Sequence, residues 1–573
     1  MAASGYIESG ARTPSGSGFR IEEYPFLQRT GIRSVLFTGN STLDERYYYD
    51  WPMLYILTNS QEAYVGQTRS IIGRMIQHGN NPEKGDFTQA NIIFNAEFNH
   101  SVLDDYEHRL IECMHADGKY KLTNKNGGIS DSNYFSKEEY SKMFESLWAQ
   151  MRDLGLATKS LAEIEDSEVF KYSPFKALNA DQRDALYQIK DAIDAGLDNA
   201  QPIVVEGMPG TGKTVLAVYL LKLLKDDKKY AGLNIRLLEP VTSLRHTLQQ
   251  SLNAVAGLSP NDIIGPTDLC KTSSGFVEGG KGFDILLVDE THRLKQRKNI
   301  AFYPSFDNAI ETLGLPKGSP QIDWVLAQAK LPIFFWDPLQ TVGPSGIGET
   351  IINDRLSVPL KSTIKLESQM RVKGGNGYLE LISSILYKET PKKCTFDNYD
   401  FVLHDDFSDF CNSFEQTYAE HSLSRMIAGY AWKWKTKDKK YNQYPDLTDI
   451  EIEGIGKRWN VQPENWVGLG FNNDQIAHEV GCIHSIQGYD LSYAYVIIGN
   501  DMQYDPANEV ITVSEQDYFD VNGKRTATYE ELLSYIKNIY YVLLTRGING
   551  THVYICNGAL REYFKEKMTE AGI

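Results

Sequence analysis

The stretch Gly207-Met-Pro-Gly-Thr-Gly-Lys-Thr214 fits the pattern of a phosphate-binding loop. It follows one apolar segment, Pro202–Val205, and precedes another, Val215–Lys225. It therefore stands between a predicted strand and a predicted helix, which is the context that a phosphate-binding loop requires. The alternative is a glycine-rich turn that fits the pattern by chance, and it would not explain why a strand and a helix flank the turn. Glycines let backbone N–H groups close around phosphate oxygens, a lysine neutralises the β- and γ-phosphates, and a threonine hydroxyl can hold Mg²⁺. We predict that ATP and Mg²⁺ bind through Gly207, Gly210, Thr211, Gly212, Lys213 and Thr214.

Short apolar segments on either side of this loop predict the fold class. They alternate with turns and helical patterns along the second half of the chain, as in parallel α/β sheets. The predicted strands are Pro202–Val205, Ile235–Leu238, Asp284–Val288, Leu331–Trp336, Ile364–Leu366, Tyr495–Ile498 and His552–Cys556. The distance from the first to the last accommodates about two such sheets.

The segment Asp284-Ile-Leu-Leu-Val-Asp-Glu290 reads as a buried strand that ends in two acids. Carboxylates at the carboxyl end of a strand lie where α/β proteins place ligands. We predict that Asp289 holds the Mg²⁺ shell and that Glu290 orients or deprotonates the attacking water. The alternative is a solvated acidic turn.

Composition limits the class of protein without identifying a partner. The chain has 573 residues, 42% hydrophobic and 23% charged, which suits several soluble domains. Its apolar runs are shorter than the roughly 20 residues of a membrane-spanning helix, and residues 1–18 predict a disordered tail rather than a secretory signal. Six scattered cysteines fit a reducing cytoplasm. The net charge of −17 leaves nucleic acid open, because binding depends on a local basic groove.

Five further motifs stand in a fixed order around the phosphate loop. They are Leu178-Asn-Ala-Asp-Gln182, Phe335-Trp-Asp-Pro-Leu-Gln340, Gln369-Met-Arg371, His484-Ser-Ile-Gln-Gly488 and Tyr541-Val-Leu-Leu-Thr-Arg546. This order resembles superfamily 1 helicases, and the stretch Ser424–Trp434 resembles a signature of the Schlafen-related ATPases within them. The resemblance covers about residues 175–560.

The resemblance implies two RecA-like lobes that close on ATP. Gln182 would read adenine, Gln340 would sense the γ-phosphate, and Arg371 and Arg546 would act as arginine fingers. The nucleotide site would also include Gln487 and Gly488. Trp336 replaces a family glycine, and the spacing from Asp337 to Arg371 is short, so ATP hydrolysis is expected while strand separation stays open.

The N-terminal region carries a second set of polar residues. Two tyrosine-bearing segments, Met53-Leu-Tyr55 and Tyr64-Val-Gly66, predict paired strands. Arg74 and His78 are one helical turn apart and share a face. Glu107 lies within an apolar helical stripe formed by Leu103, Leu110, Ile111 and Met114. An inward carboxylate needs compensation, which a metal or a local arginine could give.

These residues resemble the GIY-YIG nucleases, with Met53 in place of the first glycine. By that resemblance Tyr55, Tyr64 and Arg74 position water and phosphate, and His78 assists as a base or phosphate ligand. Glu107 binds Mg²⁺ or Mn²⁺, and Asn124 braces the site. Because the first glycine is replaced by Met53, an alternative interpretation is that this region is an inactive remnant of a nuclease that still binds DNA or RNA.

Two basic segments are candidates for nucleic-acid contacts. Trp432–Tyr441 interleaves aromatic residues with lysines, a mixture that suits stacking on bases and pairing with phosphates. The alternative is a solvated helix whose tryptophans pack on the second lobe, and Lys295-Gln-Arg-Lys298 is equally open.

The predicted organisation has five parts: a tail and lead-in (1–49), a GIY-YIG domain (50–130), a helical linker (131–174), and RecA-like lobes 1 (175–360) and 2 (361–573). The predicted function is a metal-dependent DNA endonuclease coupled to an ATP-driven motor, acting in prokaryotic defence against foreign DNA or in repair. The alternative is a nucleotide switch that gates a nuclease or an assembly without translocation. A homo-oligomer or protein partner is compatible with either.

Overall fold

The computed structural model describes residues 18–26, 45–124, 134–165, 167–198, 200–253, 255–356, 363–387, 390–396, 398–421, 423–437, 443–460, 466–467, 475–486 and 489–573. Gln487 and Gly488, which were predicted to bind nucleotide, lie outside the described residues, as do nearly all of the predicted tail and the end of Trp432–Tyr441. The chain divides into two compact units. Unit 1 comprises residues 1–179, 218–232 and 246–263, and unit 2 comprises 180–217, 233–245 and 264–573.

Unit 1 is built on a five-stranded sheet with the order β1-β4-β2-β3-β5. Its strands are β1 (Arg20–Pro25), β2 (Met53–Thr58), β3 (Glu62–Thr68), β4 (Gln89–Phe94) and β5 (Lys121–Leu122). The first four strands pair antiparallel, and β5 joins β3 in parallel. All six residues of β2 are buried, which explains why its sequence is mainly apolar instead of alternating between apolar and polar residues.

The helices described in this region are α1 (Glu45–Tyr49), α2 (Ile71–Gly79), α3 (His100–Asp117), α4 (Lys137–Asp153), α5 (Leu161–Glu165) and α6 (Glu168–Lys171). Helix α3 begins at Asn99, whose side chain accepts a hydrogen bond from the Val102 N–H at 3.1 Å, and it ends at Gly118 in the left-handed conformation. Both ends follow the usual capping preferences. This long helix carries Glu107.

Unit 1 also includes two segments that the sequence places in the first lobe. Val255 forms a parallel bridge with Leu122, and the Ala256 N–H donates to the Leu122 carbonyl at 3.2 Å. Lys225 pairs with Asp262 at 2.8 Å, which ties the two inserted segments together. These non-local contacts make unit 1 larger than the predicted N-terminal domain and linker.

The first sheet of unit 2 has the order β11-β6-β10-β9-β7-β8. Its strands are β6 (Ile203–Gly207), β7 (Ile235–Leu238), β8 (Ile263–Ile264), β9 (Phe283–Val288), β10 (Ala329–Trp336) and β11 (Ile364–Leu366). The pairs from β11 through β7 are parallel. The helices that follow or precede these strands are α7 (Ala180–Asp194), α8 (Lys213–Asp226), α9 (Thr242–Asn253), α10 (Tyr303–Thr312), α11 (Gln321–Gln328) and α12 (Glu349–Leu356). Residues 218–226 of α8 and 246–253 of α9 belong to unit 1.

The second sheet of unit 2 has seven strands in the order β12-β20-β17-β13-β16-β15-β14, and β14 at its edge is antiparallel to β15. The strands are β12 (Asp400–His404), β13 (Arg425–Ala428), β14 (Ile450–Ile452), β15 (Ile455–Trp459), β16 (Glu479–Cys482), β17 (Leu491–Ile498) and β20 (Gly547–Ile555), while β18 (Met502–Asp505) and β19 (Val510–Val513) form a separate hairpin. The helices are α13 (Gly375–Tyr387), α14 (Phe407–Glu420), α15 (Ile483–Ile486), α16 (Val521–Lys524), α17 (Tyr529–Leu544) and α18 (Gly558–Ala571).

The structure confirms the mixed α/β class and the seven predicted strands. Ile235–Leu238 and Ile364–Leu366 match to the residue, and the other predicted strands differ by a few residues at one or both ends. Among the described residues, no helix has the length and apolar character needed to cross a bilayer.

Candidate active sites

The N-terminal site begins with the pairing of β2 and β3. Tyr55 on β2 lies opposite Gly66 on β3. A methyl group on Gly66 would come within 2.3 Å of the Tyr55 hydroxyl oxygen. Glycine at position 66 therefore makes room for the tyrosine side chain, which is fully buried.

The Tyr55 hydroxyl contacts two polar residues of α2, Arg74 and His78. It accepts a hydrogen bond from Arg74 Nε at 3.0 Å and lies 2.8 Å from His78 Nε2. Burial, together with the charges of Arg74 and Lys84, lowers the pKa of His78 to about 4. His78 is therefore neutral at pH 7 and can accept a proton.

A cavity of about 470 Å³ lies beside this cluster, lined by Tyr64, Arg74, Gln77, His78, Asn81, Glu83, Lys84, Glu107, Ile111, Thr123 and Asn124. Tyr55 lies behind the lining, so it acts through Arg74 and His78 instead of touching a ligand. Asn124 Nδ2 donates to the Val65 carbonyl at 2.9 Å, and Asn124 Oδ1 accepts from the Val65 N–H at 3.1 Å. These two bonds fix β3 next to Tyr64.

Glu107 presents its carboxylate to the cavity and accepts a hydrogen bond from Gln67 Nε2 at 3.0 Å. The hydrogen-bonding partner is thus an amide, and the charge of Arg74 also favours the ionised carboxylate. Burial raises the pKa of Glu107, partly offset by Gln67. A half-buried carboxylate with a single neutral partner fits a divalent cation, and Mg²⁺ is commonly held by one or two carboxylates together with water and substrate phosphate. Within the described part of the chain, no cluster of three or more His, Cys, Asp or Glu side chains is arranged to hold a metal by itself.

Sequence reasoning missed Gln67 and Lys84 in this site. Gln67 directly follows the Tyr64-Val-Gly66 motif, so its position on β3 could have suggested it. Lys84 stands in a polar turn, Pro82–Lys84, and nothing in the local sequence distinguishes it from a solvated lysine.

The phosphate loop of unit 2 runs from the end of β6 to the start of α8. Lys213 Nζ donates to the carbonyl oxygens of Gly207 at 2.6 Å and Met208 at 3.0 Å, and lies 3.5 Å from Asp337 Oδ2. Gly210 is in the left-handed region with φ of 83°, and a methyl group there would come within 2.1 Å of Gln369 Oε1. Glycine at position 210 thus gives the loop its left-handed turn and leaves room for the Gln369 side chain to pack against it.

The acids at the end of β9 lie beside this loop. Asp289 is fully buried, and its Oδ2 has no hydrogen-bond partner among the described residues. Burial and the charge of Glu290 raise the Asp289 pKa to about 7, while the Thr214 hydroxyl acts to lower it. A buried carboxylate oxygen without a donor, close to a threonine hydroxyl, fits the ligands expected for nucleotide-bound Mg²⁺.

Glu290 has φ of 43°, an uncommon conformation for a residue other than glycine. Its Oε2 lies 2.9 Å from His292 Nε2. Non-glycine residues held in this region are found preferentially at functional sites, which agrees with a role in orienting water.

Side chains from both sheets of unit 2 meet at the loop. Gln340 Nε2 donates to Asp337 Oδ2 at 2.7 Å, and Arg546 Nη2 donates to Gln340 Oε1 at 3.2 Å. A continuous polar path therefore runs from Lys213 to Arg546.

Gln182 and the segment Gln369–Arg371 also contact the phosphate loop. Gln182 Nε2 donates to the Thr211 carbonyl at 3.0 Å, and Gln369 Nε2 donates to the Pro209 carbonyl at 2.6 Å. The Arg371 guanidinium forms an ion pair with Asp490. The structure thus brings together the described residues of the predicted ATP site, with Arg371 held by a carboxylate.

A model of the family described as Schlafen group 3, DNA/RNA helicase domain, matches residues 200–557, more than half of the chain. The chain belongs to this family. This confirms the Schlafen-related resemblance for the second half of the chain. Residues 1–199 lie outside the match, and the GIY-YIG resemblance stays a prediction.

Among curated proteins, the chain is similar to the uncharacterized protein YPL245W of Saccharomyces cerevisiae. The two are 26% identical over 307 residues, which cover 49% of this chain and 64% of the yeast protein. The match thus spans less than two thirds of the yeast protein.

Among solved structures, Mss116p bound to single-stranded RNA and AMP-PNP aligns with a TM-score of 0.32 and 11% identity over 74% of this chain and 77% of its own. Saccharomyces cerevisiae Dbp5, bound to Nup159, Gle1, IP6 and ADP, aligns with a TM-score of 0.28 and 11% identity over 69% of this chain and 92% of its own. AMPPCP-bound DnaA from Aquifex aeolicus aligns with a TM-score of 0.20 and 17% identity over 38% of this chain and 55% of its own. TM-scores this low support no inference about the function of this chain.

A second cavity of the Schlafen group 3 region, of about 490 Å³, is lined by both sheets of unit 2. Arg293 and Lys295 contribute positive charge to it, and Tyr430 and His484 contribute rings. Of the predicted basic run Lys295–Lys298, Arg297 is instead paired with Asp307 at 2.5 and 2.7 Å. Trp432 and Trp434 pack on the core of the second sheet, as the alternative expected. The helix expected there is wrong for the described residues 431–437, which form bends and turns.

Proposed function

We propose that the chain is an ATP-hydrolysing, helicase-like motor joined to a metal-dependent endonuclease that acts on DNA. The observation that carries the motor half is the polar path from Lys213 through Asp337 and Gln340 to Arg546. It connects the phosphate loop with an arginine beyond the end of α17. The nuclease half is supported by the cluster of Tyr55, Arg74 and His78 beside a cavity that Glu107 lines.

In the motor half, ATP replaces the loop carbonyls as the partner of Lys213. Glu290 orients the attacking water, and Gln340 carries the state of the γ-phosphate to Arg546. Arg371 leaves Asp490 and joins Arg546 on the phosphate as the two sheets close. Positive charge supplied only on closure ties hydrolysis to movement of the second sheet.

In the nuclease half, Arg74 and Tyr64 hold the phosphodiester while His78 serves as the base. With hydrogen on His78 Nε2, which then donates to Tyr55, the Nδ1 atom can take a proton from water. The water oxygen bonds to phosphorus, and the bond between phosphorus and the leaving sugar oxygen breaks. A divalent cation held by Glu107 supplies charge neutralisation at the phosphate.

DNA is the proposed substrate, and the basic cavity with Arg293 and Lys295 is the proposed place where the motor contacts it. Defence against foreign DNA in a prokaryote, or repair, is the setting that combines both activities. This assignment is by analogy of architecture, without support from a particular residue.

The deciding experiment measures cleavage of plasmid and single-stranded DNA with Mg²⁺ or Mn²⁺, with and without ATP, together with phosphate release. Wild type is compared with Glu107→Ala and Lys213→Ala. We expect cutting to be lost in Glu107→Ala, and to respond to ATP only when Lys213 is present. A wild type that hydrolyses ATP but cuts no DNA would remove the nuclease half of the proposal.

A second candidate function is a nucleotide switch that gates the nuclease without translocation. The bridge between Val255 and Leu122 favours it, because Leu122 stands two residues before Asn124, which fixes β3. His115 on α3 is also bonded to the Ser251 carbonyl at 3.1 Å. Helix α9 follows β7 of the first sheet of unit 2 along the chain and ends at Asn253, shortly before Val255.

The two functions differ in what ATP must do. A switch responds to AMP-PNP as it does to ATP, and its ATPase rate is little changed by DNA. A motor needs hydrolysis, and its ATPase rate rises with DNA. Cleavage that AMP-PNP activates as fully as ATP would therefore favour the switch.

A further inference from the structure

Lys84 occupies an unusual position for a lysine that follows a surface turn. The turn Pro82–Lys84 is fixed by the Asn81 side chain, which accepts a hydrogen bond from the Glu83 N–H at 3.0 Å. The Lys84 N–H donates to the Asn81 carbonyl at 3.0 Å. The backbone therefore places this side chain with little freedom.

The Lys84 side chain is directed into the N-terminal cavity instead of solvent. Only 8% of its surface is exposed, and Nζ lies 3.2 Å from the centroid of the Tyr64 ring. Lysine is rarely buried to this extent unless its charge has a use or a partner, and the face of an aromatic ring is one favourable environment.

Lys84 shares the cavity with Arg74 and Glu107. Glu83 lines the cavity as well, so its two cations are balanced by two carboxylates before substrate arrives. A phosphodiester carries one negative charge, and its transition state for hydrolysis carries more, so a second cation matches the charge that develops.

We propose that Lys84 is a phosphate-binding residue of the N-terminal site, which contacts a non-bridging oxygen of the scissile phosphodiester as a second cation beside Arg74. The proposal rests on the nuclease function proposed above. Lys84 acts here as a charged donor and exchanges no proton. Its contact with Tyr64 holds the ammonium group at the edge of the space where the phosphate would bind.

The test compares Lys84→Met, Lys84→Gln and Lys84→Arg in the full chain, by single-turnover cleavage of linear DNA with Mn²⁺. Lys142→Met, which changes an exposed lysine on α4, is the matched control. We expect the Met and Gln variants to cut about 10²–10³-fold more slowly, the loss typical of removing one donor to a developing charge. The Arg variant should retain most of the rate because it keeps the charge.

Thermal unfolding shows whether each variant is folded, and the Gln variant keeps the test available if the Met variant is not. Met and Gln variants that cut like wild type and Lys142→Met would overturn the role of Lys84, while loss of cutting in Glu107→Ala would leave the nuclease standing. An Arg variant as slow as Met would also overturn the charge argument. A wild type without any cleavage would overturn the proposed nuclease function itself, and the role of Lys84 with it.

Discussion

Lys213 in the phosphate loop donates to carbonyl oxygens of its own loop, whereas Arg74 in the N-terminal cavity donates to a tyrosine hydroxyl and still lines the cavity. Arg371 likewise is paired with Asp490, while His78 is held on Tyr55. The ATP site must therefore exchange internal partners for a ligand, but the N-terminal site is already assembled. Sites that exchange partners respond to a ligand by changing conformation, and preassembled sites favour fast chemistry.

Replacing Arg546 tests the ATP site, whose residues must exchange internal partners for a ligand. Of the changes considered, it should have the largest effect on activity. Arg546→Gln loses the donor to Gln340 and the charge proposed for the γ-phosphate. We expect kcat for ATP hydrolysis to fall about 10³-fold or more, as for other arginine fingers. Steady-state phosphate release measures it, and Arg355→Gln, which alters an arginine bonded to Asp323, is the control. A loss smaller than tenfold would mean that Arg546 has only a structural role.

Replacing Tyr55 tests the preassembled half. Tyr55→Phe keeps the ring but removes the hydroxyl that joins Arg74 to His78. We expect kcat for DNA cleavage to fall about 10- to 100-fold with little change in KM, because misplacement of groups by about 1 Å can cost that much. ATP hydrolysis in the same variant provides the comparison. Cleavage at the wild-type rate would show that the cluster does not depend on this hydroxyl.

A change at Gly66 tests how closely β2 and β3 must approach. In Gly66→Ala the new methyl group would overlap the Tyr55 hydroxyl, and we expect a loss of about 1–3 kcal/mol in the free energy of unfolding. Gly73→Ala on α2 is the control, because its nearest neighbour is 3.2 Å away and alanine favours helix. Denaturant unfolding of both variants gives the two values. Equal stabilities would contradict the proposed close approach.

The sequence predicted the parts of the fold that depend on local pattern. The alternation of short, mainly apolar segments with turns located the strands β7 and β11 to the residue, although each contains one basic residue, Arg236 or Lys365. The loop Gly207–Thr214 located the candidate nucleotide site. Strands β13 and β16, which begin with the charged residues Arg425 and Glu479, were missed. Length and composition do not distinguish such segments from loops.

Contacts between distant parts of the chain could not be predicted from one sequence. The bridge from Val255 to Leu122 assigns part of the expected first lobe to unit 1, and no local pattern reports such a pairing. The entry of Lys84 into the N-terminal cavity depends on the direction of a turn. The roles of Trp432 and Trp434 could be stated only as alternatives, because exposure of an aromatic side chain is set by tertiary packing.

The pH dependence of cleavage is the finest test of the preassembled site. Because burial, Arg74 and Lys84 hold the His78 pKa near 4, the base is unprotonated from about pH 5 upward, and we expect a flat rate between about pH 6 and 8. An ordinary histidine, with a pKa near 6.5, would lose most of its rate at pH 5.5. Since the folded pKa lies below the unfolded one, acidification from about pH 6.5 to 4 should also lower stability, because the unfolded chain binds the proton first. Single-turnover rates from pH 4.5 to 8.5 measure the profile, and a midpoint near 6.5 would show that His78 is not held in this environment.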